Sequence, residues 1–213
     1  MQNEKILSKI VQFFLEKISV KLDADKLKKF NDLMFIFVEN IIVNLEKIIP
    51  IYLDFYKSMT ENEIRLANIK NEDKILHIGC GSIPATSIYI FKKIAPDITA
   101  IDKNLQSIKK AQRLLSKLKL FSKIHTIHSN ALDFPLEKFN LIIISLGIKT
   151  YPDVLRYISQ NMRSDARVIL RTSSSIDGNL VEKDLFLKDI FRIDQIIPQK
   201  KNGLMISLLL FKK

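Results

Sequence analysis

The sequence predicts an α/β protein: a mostly parallel, seven-stranded, Rossmann-like sheet preceded by an α-helical bundle. Three observations carry this. Apolar residues recur at helical spacing from Ile6 to about Ile69. From Lys74 onward, short β-branched runs alternate with helical segments. The chain then closes on two strands separated by the turn-rich stretch PQKKNG. Alternating β and α elements of this length make a parallel sheet covered on both faces, and the last two strands close it as an antiparallel hairpin.

The first region, residues 1–70, places Ile6, Ile10, Phe13, Phe14 and Ile18, then Leu27, Phe30, Leu33, Met34, Phe37, Val38 and Ile41, on wide helical stripes. Three or four helices are expected, with breaks near Leu22–Asp25, at Pro50 and around Thr60. This region contains no glycine, so it holds no phosphate loop. In residues 71–213, strands are expected at Lys74–Ile78, Ile98–Ile101, Ile124–His128, Leu141–Ser145, Arg167–Arg171, Asp194–Ile197 and Leu204–Phe211. Helices are expected at Thr86–Ile94, Asn104–Leu118 and Asp153–Asn161.

A hydrophobic fraction of 47% in 213 residues is enough for a real core. Cys80 stands alone, so no disulfide forms within the chain, and with no evident export signal the expectation is a cytoplasmic protein. The most apolar stretch, Leu33 to Val43, is short and broken by Glu39 and Asn40, so no membrane span is expected. The net charge of +11, from 34 lysines and arginines against 23 acids, is spread over nearly every helix rather than gathered in one tract. It therefore reads first as a solvated surface; nucleic acid is the less favoured partner, and a homodimer is compatible with the sequence.

The sharpest local signal is KILHIGCGSIP. A buried strand runs into Gly79-Cys80-Gly81, and a helix begins a few residues later. Glycines let the backbone turn tightly and approach a ligand. Asp102 closes the second strand about 20 residues on, where a carboxylate can accept from both ribose hydroxyls of an adenosine. Pro84 occupies the third position of the G-x-G-x-x-G pattern, which counts against a dinucleotide and in favour of S-adenosylmethionine, a ligand with no pyrophosphate. Asn130 and Ala131 follow the third strand, at a place similar to that where methyltransferase-type proteins make an adenine contact; Asn130 equally suits a plain turn. Ser145 and Gly147 follow the fourth strand and are expected to line the same site. No metal site is expected: His125 and His128 point to opposite faces of a strand, and His77 reads as a packed core histidine. Cys80 occupies a loop position that suits a small residue better than a nucleophile.

At these residues the chain resembles the nicotianamine synthase family, particularly its short archaeal form. The family loop reads roughly G-x-G-P-L-P-x-T-[SG]-I. The segment Gly79 to Ile88 keeps both glycines, Pro84 and Thr86, and departs at Ser82, where the family has proline. Arg167 to Thr172 is similar to the family's strand ending in Arg-Thr or Arg-Ser. Tyr56 and the pair Asn62-Glu63 precede the loop at the family's spacing. The likeness covers roughly Ile51 to the C-terminus.

The resemblance implies a class I S-adenosylmethionine-dependent methyltransferase fold put to a different use. The aminocarboxypropyl group, rather than the methyl group, passes to an amine or amino-acid substrate, and methylthioadenosine leaves. The family's product is a metallophore. By the same resemblance Glu63 is the candidate base for the amine and Tyr56 its hydrogen-bonding partner. Burial that raises a carboxyl pKa would suit that task. Gly79, Cys80, Gly81, Pro84, Thr86, Asp102, Asn130, Ala131 and Ser145 are the cofactor-binding candidates. Arg171, Gly147 and Tyr151 are the substrate-binding candidates, with Lys149 beside them. Two alternatives stand: Glu63 suits the first turn of a helix starting near Thr60, and Arg171 suits a structural ion pair. An ordinary methyltransferase acting on a small molecule, protein or RNA is the competing function. A non-catalytic module whose basic helices dock RNA or a partner is the third.

Overall fold

The computed structural model describes residues 49–146, 148, 151–174, 180–181, 184–199 and 205–213. Most of the expected helical bundle, residues 1–48 with the break near Leu22–Asp25, lies outside the described residues, as do Gly147 and Lys149.

Described helices are α1 (Ile49–Leu66), α2 (Ala85–Ile94), α3 (Leu105–Lys117), α4 (Tyr151–Asn161) and the short α5 (Leu187–Ile190). Strands are β1 (Lys74–Ile78), β2 (Asp97–Asp102), β3 (Ile124–His128), β4 (Leu141–Ile144), β5 (Arg167–Ser173), β6 (Phe191–Pro198) and β7 (Met205–Lys212). One expectation is corrected here: α1 runs unbroken through Thr60. Thr60 and Glu63 are both buried at its interior, so packing against the sheet overrides a sequence that reads locally as a helix start. Glu63 is therefore not a first-turn acid.

The seven strands form one sheet in the order β3-β2-β1-β4-β5-β7-β6. Pairs among β1 to β5 are parallel, while β7 runs antiparallel between β5 and β6. The order reverses beside β1, and the crevice at the carboxyl ends of β1 and β4 is where open α/β sheets bind ligands.

Strand alternation divides the core into two layers. Ile75, Ile98, Ala100, Ile143, Ile169 and Leu209 face α1, α2 and α3 in one cluster. Leu76, Ile78, Ile101, Ile142, Ile144, Leu170 and Leu208 face α4 and Phe134 in the other. Asn104 caps α3 through its side-chain oxygen, which accepts from the N–H groups of Gln106 and Ser107. Helix α1 is tied to α2 by the Tyr89 hydroxyl, which donates to Glu61. It thereby covers the end of the sheet where the loops of the crevice meet.

Candidate active site

The bend after β1 is built on positive backbone angles, φ 77° at Gly79 and 66° at Gly81. Such angles strain any residue with a β-carbon. Asp102 holds the bend from the neighbouring strand: its Oδ2 accepts from the Gly81 N–H at 3.0 Å, and its Oδ1 from the Asn104 N–H at 2.8 Å. Each oxygen keeps a further acceptor position, and Asp102 lines the cavity beside the bend.

That cavity has a volume of about 310 Å³, at the lower end of the range for small-molecule sites. Gly79, Cys80, Gly81, Thr86, Asp102, Asn130, Ala131, Ser145, Tyr56 and Arg171 all line it. The structure thus brings together most of the residues singled out from sequence. Pro84 does not line it; it stands at the start of α2 and shapes the bend. The Asn130 side-chain oxygen accepts from the Leu132 N–H at 3.3 Å, so it caps a turn of 3-10 helix at Ala131–Asp133 and leaves its amide nitrogen beside the cavity. Tyr151 packs edge-on against Phe186 and away from the cavity wall. Burial, aided by Asp184, pushes its hydroxyl well above the usual phenol range.

The electrostatic centre is a buried pair. The Arg171 Nε donates to Glu63 Oε1 at 2.8 Å and its Nη2 to Oε2 at 2.6 Å, a bidentate fork, with Nη2 also reaching Thr86 Oγ1 at 2.9 Å. The Glu63 carboxylate raises the Arg171 pKa against the effect of burial. Arg171 stands on the cavity wall, and Glu63 lies fully buried behind it. The ion-pair alternative for Arg171 is thus met by the very residue expected to act as base.

Tyr52 and His77 are among the wall residues not expected from sequence. Tyr52 stands one turn before Tyr56 on α1, their rings 5.1 Å apart and the Tyr52 hydroxyl donating to that of Tyr56 at 3.3 Å. His77 is packed, as expected, but it also reaches the cavity. Its Nδ1 meets Ser87 Oγ at 2.8 Å and its Nε2 meets Ser145 Oγ at 2.9 Å. Burial, helped by the positive Arg171, pushes its pKa down to about 3, so the ring is neutral at physiological pH. The signal was a polar residue at an inward position of an otherwise apolar strand. Among the described residues no three His, Cys, Asp or Glu side chains cluster as metal ligands, and no helix is long and apolar enough to cross a membrane.

The sequence model of the nicotianamine synthase protein family matches residues 4–197. The chain belongs to that family. It is similar to L-histidine 2-aminobutanoyltransferase of Pseudomonas aeruginosa, 24% identical over 129 residues. The match covers 60% of this chain and 49% of the relative, so the chain spans about half the length of that curated relative. Two solved structures share the fold. One is MtNAS in complex with MTA and tNA, at TM-score 0.78 and 15% identity, covering 100% of this chain and 89% of that one. The other is a glutamate-to-glutamine mutant of MtNAS in complex with S-adenosylmethionine, at TM-score 0.75 and 14% identity, covering 99% and 91%. The mixed seven-stranded sheet, with its helical N-terminal side, is that of class I S-adenosylmethionine-dependent methyltransferases.

Proposed function

We propose that this chain binds S-adenosylmethionine in the cavity and transfers its 3-amino-3-carboxypropyl group to an amine, with methylthioadenosine as the leaving product. Membership of the nicotianamine synthase family supports this reading. The cavity fits the donor: Asp102 retains acceptor positions for two ribose hydroxyls, and the Gly79–Gly81 bend keeps β-carbons away from the ligand. Ala131, Ser145 and the Asn130 amide complete the adenosine side. When bound, this donor supplies a carbon activated by a positively charged sulfur that is already a good leaving group, so positioning provides most of the rate.

The observation that carries the reading is the Arg171–Glu63 pair, whose arginine lines the cavity with the carboxylate buried behind it. A guanidinium beside a carboxylate complements the two charges of an α-amino acid. Arg171 holds a ligand carboxylate through the N–H groups that Glu63 and Thr86 leave over. Tyr56, held by Tyr52 on the cavity wall, orients the acceptor amine and relays its proton toward Glu63, the proposed base, which lies buried behind Arg171. The Pseudomonas relative is named for transfer to L-histidine, so an amino acid is the acceptor proposed for this chain.

Mass spectrometry of the products decides the matter. Incubation with S-adenosylmethionine and a panel of amino acids including histidine should yield methylthioadenosine and an acceptor carrying the added unit. S-Adenosylhomocysteine with a methylated acceptor would establish methyl transfer instead. A Glu63→Gln variant should bind the donor yet lose turnover, whereas a docking module would be indifferent to the change.

A further inference from the structure

We infer that Ser207 and Gln199 are positioning residues for Glu63, the last two members of a one-way chain of hydrogen-bond donors that begins at Arg65. The inference rests on the proposed role of Glu63. The two ends of the chain determine its direction. A guanidinium only donates and an ionised carboxylate only accepts. Arg65, exposed on α1, donates from Nη2 to Asn62 Oδ1 at 2.6 Å. That orients the Asn62 amide so that its Nδ2 donates to Gln199 Oε1 at 3.0 Å. Gln199, just past β6 and 1% exposed, must then present its Nε2, which donates to Ser207 Oγ at 3.0 Å. With a donor already pointed at its oxygen, Ser207 has one use left for its proton. It donates to Glu63 Oε1 at 2.8 Å.

No member can be turned round without setting donor against donor, so the arrangement is singular, and each bond polarises the next. Sheet register explains why it is built here. Ser207 on β7 is directly opposite Arg171 on β5. Opposed residues of an antiparallel pair put their side chains on the same face. That face is covered by α1, so Arg171 and Ser207 both reach Glu63, one from each side. The Arg171 fork alone would let the carboxylate follow any movement of the arginine toward a ligand. The Ser207 hydroxyl instead anchors Oε1 to the hairpin, which keeps Oε2 as the oxygen on the Arg171 Nη2 side.

The test compares Ser207→Ala, Ser207→Thr and Gln199→Met in the full chain, by donor affinity in calorimetry and by steady-state turnover. Ser207→Ala should lower kcat about tenfold while the dissociation constant of S-adenosylmethionine stays within about twofold. Ser207→Thr, which keeps the hydroxyl, should restore most of the loss. Gln199→Met, similar in shape without the amide, should produce a smaller loss in the same direction. A Ser207→Ala enzyme with unchanged kcat, or a loss that the threonine does not rescue, would overturn the inference. Urea unfolding of Ser207→Ala, Glu63→Gln and the double variant supplies a readout that needs no turnover. Non-additive midpoints are expected, and strict additivity would equally overturn the chain. Wild-type protein that forms no methylthioadenosine would sink the functional reading alone, and the unfolding comparison would still judge the donor chain.

Discussion

Glu63 and Arg171, 108 positions apart in sequence, meet as a bidentate ion pair whose side chains are 0% and 3% exposed. One stands on the helix leading into the α/β unit and the other on its fifth strand. Their contact ties helix α1 to the sheet beside the cavity that Arg171 lines. It gives the proposed chemistry a cation and an anion held at fixed separation.

A buried pair is costly to break from one side. Arg171→Met should destabilise the protein by about 3–5 kcal/mol, because it leaves the Glu63 carboxylate buried with no cation beside it. Adding Glu63→Gln should recover a large part of that loss. Urea unfolding of the two single variants and the double variant checks this. A double variant as unstable as the sum of the singles would refute it.

Asp102 is expected to act twice, on the loop and on the ligand. Asp102→Ala should weaken S-adenosylmethionine at least about tenfold in calorimetry, in line with the loss of hydrogen bonds to a charged group. Asp102→Asn should fall between, since its remaining oxygen can serve only one of the two backbone N–H groups of Gly81 and Asn104. Unaltered affinity in Asp102→Ala would end the assignment of this cavity to an adenosine.

Gly79→Ala separates backbone strain from crowding. A β-carbon there would meet Ser145 Cβ at 3.4 Å and Ile148 Cγ1 at 3.5 Å, close to ordinary contact. The φ of 77° is the larger burden, at about 1–2 kcal/mol for a left-handed conformation. Thermal unfolding should show a loss of that order, and ligand affinity should drop with it.

His77 predicts a pH dependence of stability. Burial lowers its pKa in the fold to about 3, from 6.5. Between those values the unfolded chain takes up a proton that the folded ring refuses, so stability falls as pH drops below about 6.5 and this loss continues toward about 3. From pH 7 to pH 5 the contribution is on the order of 2 kcal/mol. A His77→Gln variant should show a flatter profile in urea titrations at the two pH values. The same pH dependence in the two proteins would show that the fold does not lower the pKa of the ring.

Much of this was legible in the chain. The strands Lys74–Ile78 and Ile124–His128 were expected with the boundaries they have, because β-branched runs bounded by polar turns leave little choice. The bend Gly79–Gly81 and Asp102, singled out together from sequence, do line one cavity, because glycine spacing and an acid at a strand end reflect local backbone geometry. Helix α1 was misread around Thr60, where threonine and acids imitate a helix start; only the sheet beneath shows that this stretch is an interior turn. Tyr151 was expected at the site from its place in the loop after β4, yet its ring turns to Phe186, a choice made by packing.

The sequence by itself determined the layers, the strand alternation and the loop chemistry, because these depend on residues within a few positions of one another. Tertiary structure alone decided what Glu63 and Arg171 do. Each was singled out for its own neighbourhood, and nothing local says that a helix before the sheet lays its acid on an arginine of the fifth strand. The antiparallel insertion of β7 beside β5 made the difference: it placed Ser207 opposite Arg171 and completed the surroundings of the carboxylate. Pairings across more than 100 residues follow from how the layers stack, and that information resides in the whole core rather than in any motif.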